Sequence, residues 1–297
     1  MTTGALTKEG WRPTHLVLGA LLVAGALAAT WGAWVDMGLI AVNDEECGHA
    51  LLALPAFVWL FWVRRGRLRR CRPVGQWFGF LMIAVGWATL SWGFRNQVQP
   101  IWHFGALLMV VGAFLAAVGS DIFWEFLAAF GVLVFLVPVP STLRERIAQP
   151  LQVYVAQATQ TVCDAVGMDV ERTNSLLTIN GTRVAIAEAC NGMRMVFSLI
   201  LVCYLFAFVN PLRGYVRFML LAISPLVALM FNIIRLVPTV WVFGAYPEDK
   251  YPNYAENFHD ISGWVMLILA FLTMVGFLKL MRWTMLPVTH FRLVDVT

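Results

Sequence analysis

The stretch ALLALPAFVWLFWVRRGRLRRCRPVGQWFGFLMIAVGWATLSWG, residues 50–93, holds two apolar runs separated by a nonapeptide, 64–72, that carries six arginines. The run at 75–93 matches a bilayer core, about 30 Å thick and crossed by about 20 helical residues, while the run at 50–63 is short as written and is read as beginning near Glu46. An arginine block of this density stays out of the hydrocarbon, so it ends both runs at the same membrane face. The stretch reads as two membrane helices joined by a cytoplasmic loop, and the rest of the chain extends that pattern.

Of the 297 residues, 60% are hydrophobic and 13% charged, and the mean hydropathy is positive. The net charge of +4 does not point to nucleic acid, because the basic residues sit in short runs beside apolar segments, the distribution that orients membrane helices. Apolar segments fall at about 14–35, 50–63, 75–93, 100–118, 122–139, 190–209, 217–243 and 260–281. The expected fold is an all-α polytopic membrane protein of about eight transmembrane helices, with an external amphipathic helix and a small β-hairpin. The whole chain, 1–297, is read as one integral domain with an external insertion at about 140–189.

Orientation follows from the loops. The block at 64–72, the pair Arg213 and Arg217, and Lys279 with Arg282 all belong on the cytoplasmic side, as do Lys8 and Arg12 near the N-terminus. Both termini are then cytoplasmic, and the loops at 36–49, 94–99, 140–189 and 244–258 face outward. The polar start of the chain lacks a small-residue cleavage site before its apolar run, which reads as a retained first helix rather than a signal peptide.

Within the insertion, Ile147, Leu151, Val155, Ala158, Val162 and Val166 recur at three- and four-residue spacing. They predict an apolar stripe on a helix over 143–166 that lies along the bilayer surface, bent or begun at Pro150. Asn180-Gly181 sits between β-branched-rich runs and predicts a tight hairpin over 174–187. That hairpin leads directly into Cys190.

Four polar residues lie where membrane helices begin or run. Cys190 falls at the external end of the sixth apolar segment, where a helix N-terminus stabilises a thiolate. A cysteine in a membrane helix is more often a small apolar filler, but Arg194, four residues on, shares its helical face. Arg235 lies inside the seventh segment, where an isolated charge costs about 2.5 kcal/mol or more and requires a partner or a substrate. Asn232 precedes it by three residues, and Pro238 removes the N–H that would bond the Ile234 carbonyl, so a bend is expected beside the pair. His259 opens the eighth segment, with Asp260 next to it and Gly263 one turn on. A structural arginine and an interfacial histidine are the plainer readings of these two. The charge-derived topology nevertheless brings Cys190, Arg235 and His259 to one side: a nucleophile, a cationic oxyanion stabiliser and a general acid or base. His49, also external, competes with His259 as base or lines the substrate entrance. Asp121 and Glu125 belong to the opposite face, and the tryptophans sit near span ends as interfacial belts.

Taken in order, EACNGMR (188–194), NIIR (232–235) and the histidine of NFHDISGW, with VPVP at 137–140, resemble the exosortase and archaeosortase group of membrane-embedded transpeptidases. The resemblance spans roughly residues 44–282. It implies Cys190 as nucleophile, Arg194 as its accompanying arginine, Arg235 as the catalytic arginine and His259 as the histidine. Asn191 stands where serine is more usual and Met193 where leucine is, and GHALL around His49 is similar to an N-terminal His-Gly motif with alanine in place of glycine. The resemblance further implies a substrate: the C-terminal sorting signal of a secreted protein, comprising a Pro-Glu-Pro-like motif, a transmembrane helix and a basic tail. Cleavage through a thioacyl enzyme would end in transfer to an amine or lipid-linked acceptor, or to water. It implies an inner-membrane enzyme facing the periplasm, associated with exopolysaccharide and biofilm export, or in the archaeal branch a site facing the cell exterior.

No nucleotide-binding loop or metal-ligand spacing occurs, and the five cysteines form no CxxC pair, so no cofactor, metal or disulfide framework is expected. Two other functions fit the polar residues. One is an anion or proton-coupled transporter using Arg194, Arg235 and His259. The other is an envelope scaffold in which the polar groups only pair helices.

Overall fold

The computed structural model describes residues 13–44, 47–73, 76–139, 141–185, 193–246 and 254–283. Cys190 and Asn191 lie outside them. The chain forms two compact units, Met1–Pro140 and Ser141–Thr297.

In the first unit, α1 (Pro13–Ala29) and α2 (Trp31–Asn43) meet at a 75° bend. No proline causes it. At the break, the Thr30 hydroxyl donates to the Ala26 carbonyl at 2.7 Å, beside the Thr30 N–H on the same oxygen at 3.0 Å, and accepts from Trp34 Nε1 at 2.9 Å, the side-chain back-bonding that bends helices. A 3₁₀ helix (Gly48–Leu52) runs into α3 (Ala53–Val63), and a second 3₁₀ helix (Arg65–Arg70) carries the arginine block. Then follow α4 (Trp77–Arg95), α5 (Gln99–Val118), α6 (Ser120–Glu125) and α7 (Leu127–Val132), the last continued by a 3₁₀ turn to Leu136.

The tightest packing is between α4 and α5, and glycines at heptad spacing make it so. A Cβ on Gly79 would lie 2.2 Å from the Ala116 nitrogen, one on Gly86 2.8 Å from that of Met109, and one on Gly93 2.4 Å from that of Trp102. Gly105 and Gly112 of α5 return the contact, meeting Leu90 and Ile83. Small residues at such spacing let membrane helices approach backbone to backbone, where dispersion and weak C–H···O contacts replace the hydrophobic drive available in water.

The arginine block is anchored to α6. Arg67 donates to the Glu125 backbone carbonyl at 3.0 Å and pairs with its carboxylate at 3.5 Å, while the Arg72 N–H donates to Asp121 at 3.1 Å. The loop at 64–72 and the turn before α6 therefore share one end of this unit, as the alternation of spans predicts.

The second unit begins with α8 (Ser141–Ala165), which runs through Pro150. A three-stranded antiparallel sheet follows, β1 (Glu171–Thr173), β2 (Leu176–Ile179) and β3 (Thr182–Ala185), in the order β1-β2-β3. The expected hairpin is β2–β3; its turn residues Asn180 and Gly181 have φ of 49° and 80°, the left-handed pair of a type I′ turn. The additional strand β1 joins through a second tight turn at Asn174, φ 57°. Three long helices complete the unit: α9 (Met193–Val209), α10 (Gly214–Ala245) and α11 (Tyr254–Trp283).

Two apolar clusters meet along α10. Leu199 and Cys203 of α9, Leu220 and Ala228 of α10 and Ala270 and Met274 of α11 form the first. Leu236 and Val240 of α10, Leu177 and Ile179 of β2 and Val155, Ala156 and Cys163 of α8 form the second. The buried face of α8 thus contains Ala148, Val155, Ala156, Thr159 and Cys163, rotated by roughly 80° from the expected stripe. Ile147, Val162 and Val166 of that stripe stay exposed, on a face open to a bilayer surface. The small residues turn inward because α8 lies close against α10 and the sheet.

Among the described residues, four helices are long and apolar enough to cross a membrane, Trp77–Arg95, Gln99–Val118, Gly214–Ala245 and Asn257–Met281, and the bent pair α1–α2 makes a fifth candidate. The apolar helices Gly48–Val63, Leu127–Leu136 and Met193–Val209 are shorter. At 1.5 Å per residue, Gly48–Val63 extends about 24 Å, less than the hydrocarbon core. The structure thus shows an all-α fold with a small sheet and, among the described residues, four to five candidate spans beside shorter apolar helices, a criterion by which the expected count of about eight is not reached.

Candidate active site

The site residues of the second unit stand where the two apolar clusters of α10 adjoin. Asn232 is fully buried and its Oδ1 accepts a hydrogen bond from Arg235 Nη2 at 3.2 Å. The three-residue spacing on one helix makes this contact. Behind it, the Thr239 hydroxyl donates to the Arg235 carbonyl at 2.8 Å, one residue past Pro238. Its acceptor is the carbonyl next to that of Ile234, whose ladder bond Pro238 removes.

The guanidinium reaches across to α11. A Cβ on Gly263 would lie 2.7 Å from Arg235 Nη1 and 3.9 Å from its Cζ, so the absence of a side chain at this position is what admits the guanidinium. Gly263 lies one turn after His259 on the same helical face. The helix α11 begins at Tyr254, which puts His259 in its second turn rather than at its start. The imidazole is mostly buried, and its Nδ1 lies 3.2 Å from the exposed Asp260 carboxylate. The cation, oriented by a buried amide and seated against a glycine one turn from the histidine, is able to stabilise an oxyanion, and the imidazole on the same neighbouring helix is able to exchange a proton.

Arg194 occupies the first turn of α9 and is exposed, beside the buried Met193. His49 belongs to the first unit, half-buried in the 3₁₀ helix and edge-on to Phe135 at 6.4 Å. The structure thus brings together Asn232, Arg235 and the His259 face of α11, and gives Arg194 and His49 positions on other elements. Among the described residues no group of histidine, cysteine and carboxylate side chains is arranged to hold a metal.

The described cysteines are structural. Cys47, Cys71, Cys163 and Cys203 are all buried, and none of these four is in a disulfide. Burial pushes the Cys71 thiol up, with Glu125 and Asp121 adding to it, and burial then Asp164 do the same to Cys163. Neither is poised as a thiolate.

One polar pair escaped the sequence reading. His103 of α5 is fully buried, with Nε2 2.9 Å from the Asp36 carboxylate on α2, and Gln99 reaches the same oxygen at 3.5 Å. The available signal was His103, an ionisable residue inside an apolar segment where it requires a partner, with Asp36 just past the end of another.

The family model for transmembrane exosortases matches residues 34–276. The chain belongs to the transmembrane exosortase family. The matched span contains His49, Cys190, Arg194, Asn232, Arg235 and His259. No curated protein and no solved structure matches the chain. Exosortase membership and the apolar helices together establish a multi-pass membrane protein of a protein-sorting transpeptidase family.

Proposed function

We propose that this exosortase-family protein is a membrane-embedded thiol peptidase and transpeptidase acting on the C-terminal sorting signal of secreted proteins. The observation that carries the reading is the Arg235 guanidinium, hydrogen-bonded to buried Asn232 and seated against Gly263 one turn from His259. An anion-stabilising group beside an imidazole is what acyl transfer to a thiol requires.

The thiolate of Cys190 attacks a backbone carbonyl next to the signal motif, and the C–S bond forms as the carbonyl electrons move onto oxygen. Arg235 stabilises that oxyanion. Collapse of the tetrahedral intermediate breaks the C–N bond, His259 delivers the proton to the leaving amine, and the anchor helix departs from a thioester at Cys190. An amine or lipid-linked acceptor, or water, then gives its proton to His259 and takes the acyl group. In the proposed topology this occurs on the periplasmic face of the inner membrane, in keeping with a role in exopolysaccharide or biofilm export, with Arg194 and Asn191 beside the nucleophile and His49 toward the substrate entrance.

The test follows a secreted reporter ending in a Pro-Glu-Pro-type motif, an apolar helix and a basic tail, co-expressed with the intact protein. Cys190→Ala should leave the reporter with its signal attached, and in the parent protein alone hydroxylamine should intercept the thioester, freeing the Cys190 thiol and releasing the reporter as a C-terminal hydroxamate. Continued processing by Cys190→Ala overturns the proposal. Loss of function in Arg235→Gln without loss in Cys190→Ala would point to the transporter reading.

A further inference from the structure

Where α3 passes into the 3₁₀ helix Arg65–Arg70, the surface opens into a pocket of about 730 Å³ lined by Trp59, Trp62, Val63, Arg65, Gly66, Leu68 and Arg69. We propose that this pocket is a binding site for the phosphodiester headgroup of an anionic glycerophospholipid. Its composition is divided by depth. Trp59 and Trp62 belong to the apolar helix and are 57% and 60% exposed, as expected of indoles at the headgroup boundary. Arg65 and Arg69 lie beyond them in sequence, exposed at the end of the apolar segment.

The pocket is pre-arranged for an anion. The Arg65 guanidinium lies over the Trp62 ring at 4.3 Å, which holds its long side chain without satisfying its charge-assisted donors. Arg67 is tied to Glu125 and is thereby withdrawn from the site, while the three contacts that the block makes to α6 fix the loop that carries the other arginines. A phosphodiester fits two guanidinium groups through paired N–H···O bonds, and acyl chains would continue along the apolar surface of α3 past Trp59. Zwitterionic lipids carry the same phosphate, but their own ammonium group lowers the net attraction, so an anionic headgroup is selected. The site is distinct from the Arg235–His259 group, and its existence does not depend on the proposed chemistry.

The test uses the purified full chain in detergent, with lipid binding followed by native mass spectrometry. Dioleoyl phosphatidylglycerol should be retained in preference to dioleoyl phosphatidylcholine. From the attraction of each interfacial arginine for an anionic surface, Arg69→Gln should weaken retention about fivefold and Arg65→Gln with Arg69→Gln about thirtyfold. Trp62→Ala should weaken it a few-fold by freeing Arg65. Arg95→Gln, at the far end of α4, removes one exposed charge elsewhere and should bind as the parent does. Thermal midpoints equal to that of the parent identify the variants that are folded. Equal retention of phosphatidylglycerol by the double variant, or equal retention of the two lipids by the parent, overturns the proposal. Displacement of the lipid by millimolar inorganic phosphate would mark a site for free anions and overturn the lipid assignment.

Discussion

Arg235 Nη1 occupies space that a side chain on Gly263 would take, since a Cβ there would lie 2.7 Å from it. The contact joins α10 to α11 through the far end of a flexible side chain, not through packed backbone. The two residues belong to different helices, and only the seating of one helix against the other brings them together.

Gly263→Ala is therefore expected to leave the fold intact while displacing the guanidinium. Alanine favours a helix interior over glycine by about 1 kcal/mol, so the thermal midpoint should hold or rise. Misplacing a catalytic group by about 1 Å costs on the order of a hundredfold in turnover, and reporter processing should fall toward that extent. Processing at the parent rate would show that the seat on Gly263 is not used in catalysis.

Thiol reactivity separates the five cysteines. With their pKa raised by burial and neighbouring carboxylates, Cys71 and Cys163 hold less thiolate than an ordinary cysteine at any pH below their own pKa. Both should remain unmodified by a maleimide at pH 7–8 in the folded protein and become reactive on denaturation, and Cys190 should be modified first. Their protonated form is the one the fold favours, so their contribution to stability is present at neutral pH and declines as pH rises through the raised pKa. Peptide mass mapping after timed labelling reads the order directly.

The glycine seam of α4 and α5 predicts a purely structural defect. Gly86→Val would drive a branched side chain into a gap where even a Cβ meets the Met109 backbone at 2.8 Å. Overpacking of this kind costs about 1–3 kcal/mol, and more where backbone must move. The expected outcome is a lower thermal midpoint in detergent and reduced accumulation in membranes.

The hairpin tip lies on α10. A Cβ on Gly244 would meet Ile179 Cγ2 at 2.7 Å, and Asn180 Nδ2 lies 3.5 Å from the Gly244 carbonyl. Replacing Asn180 and Gly181 by alanines imposes a left-handed conformation on two residues that resist it, at about 1–2 kcal/mol each. If the sheet serves as a platform for the signal motif, processing of the signalled reporter should fall. Undiminished processing would remove that role.

Much of the architecture was legible because its causes are local. The apolar runs, the arginine block and the Asn180-Gly181 turn each depend on hydrophobicity, charge or a φ preference contained within a few residues. The Asn232–Arg235 hydrogen bond belongs with them, since spacing along one helix sets it. Sequence periodicity also identified α8 as amphipathic. It selected the stripe with the largest side chains, whereas the fold buries the smaller face through Ala148, Ala156 and Cys163, because close approach to α10 rewards small residues over large ones.

By itself, the sequence determined a helical membrane protein, its family and the residue types available for chemistry. Tertiary structure alone decided that Arg235 rests on Gly263, that His103 is buried against Asp36, and that Arg67 is taken up by Glu125 while Arg65 lies over Trp62. The reason is physical. A helix fixes the neighbours of each side chain along its own axis. Its neighbours on other helices depend on the rotation, depth and tilt at which those helices pack, and these are settled by steric fit across the whole interface, not by any one segment.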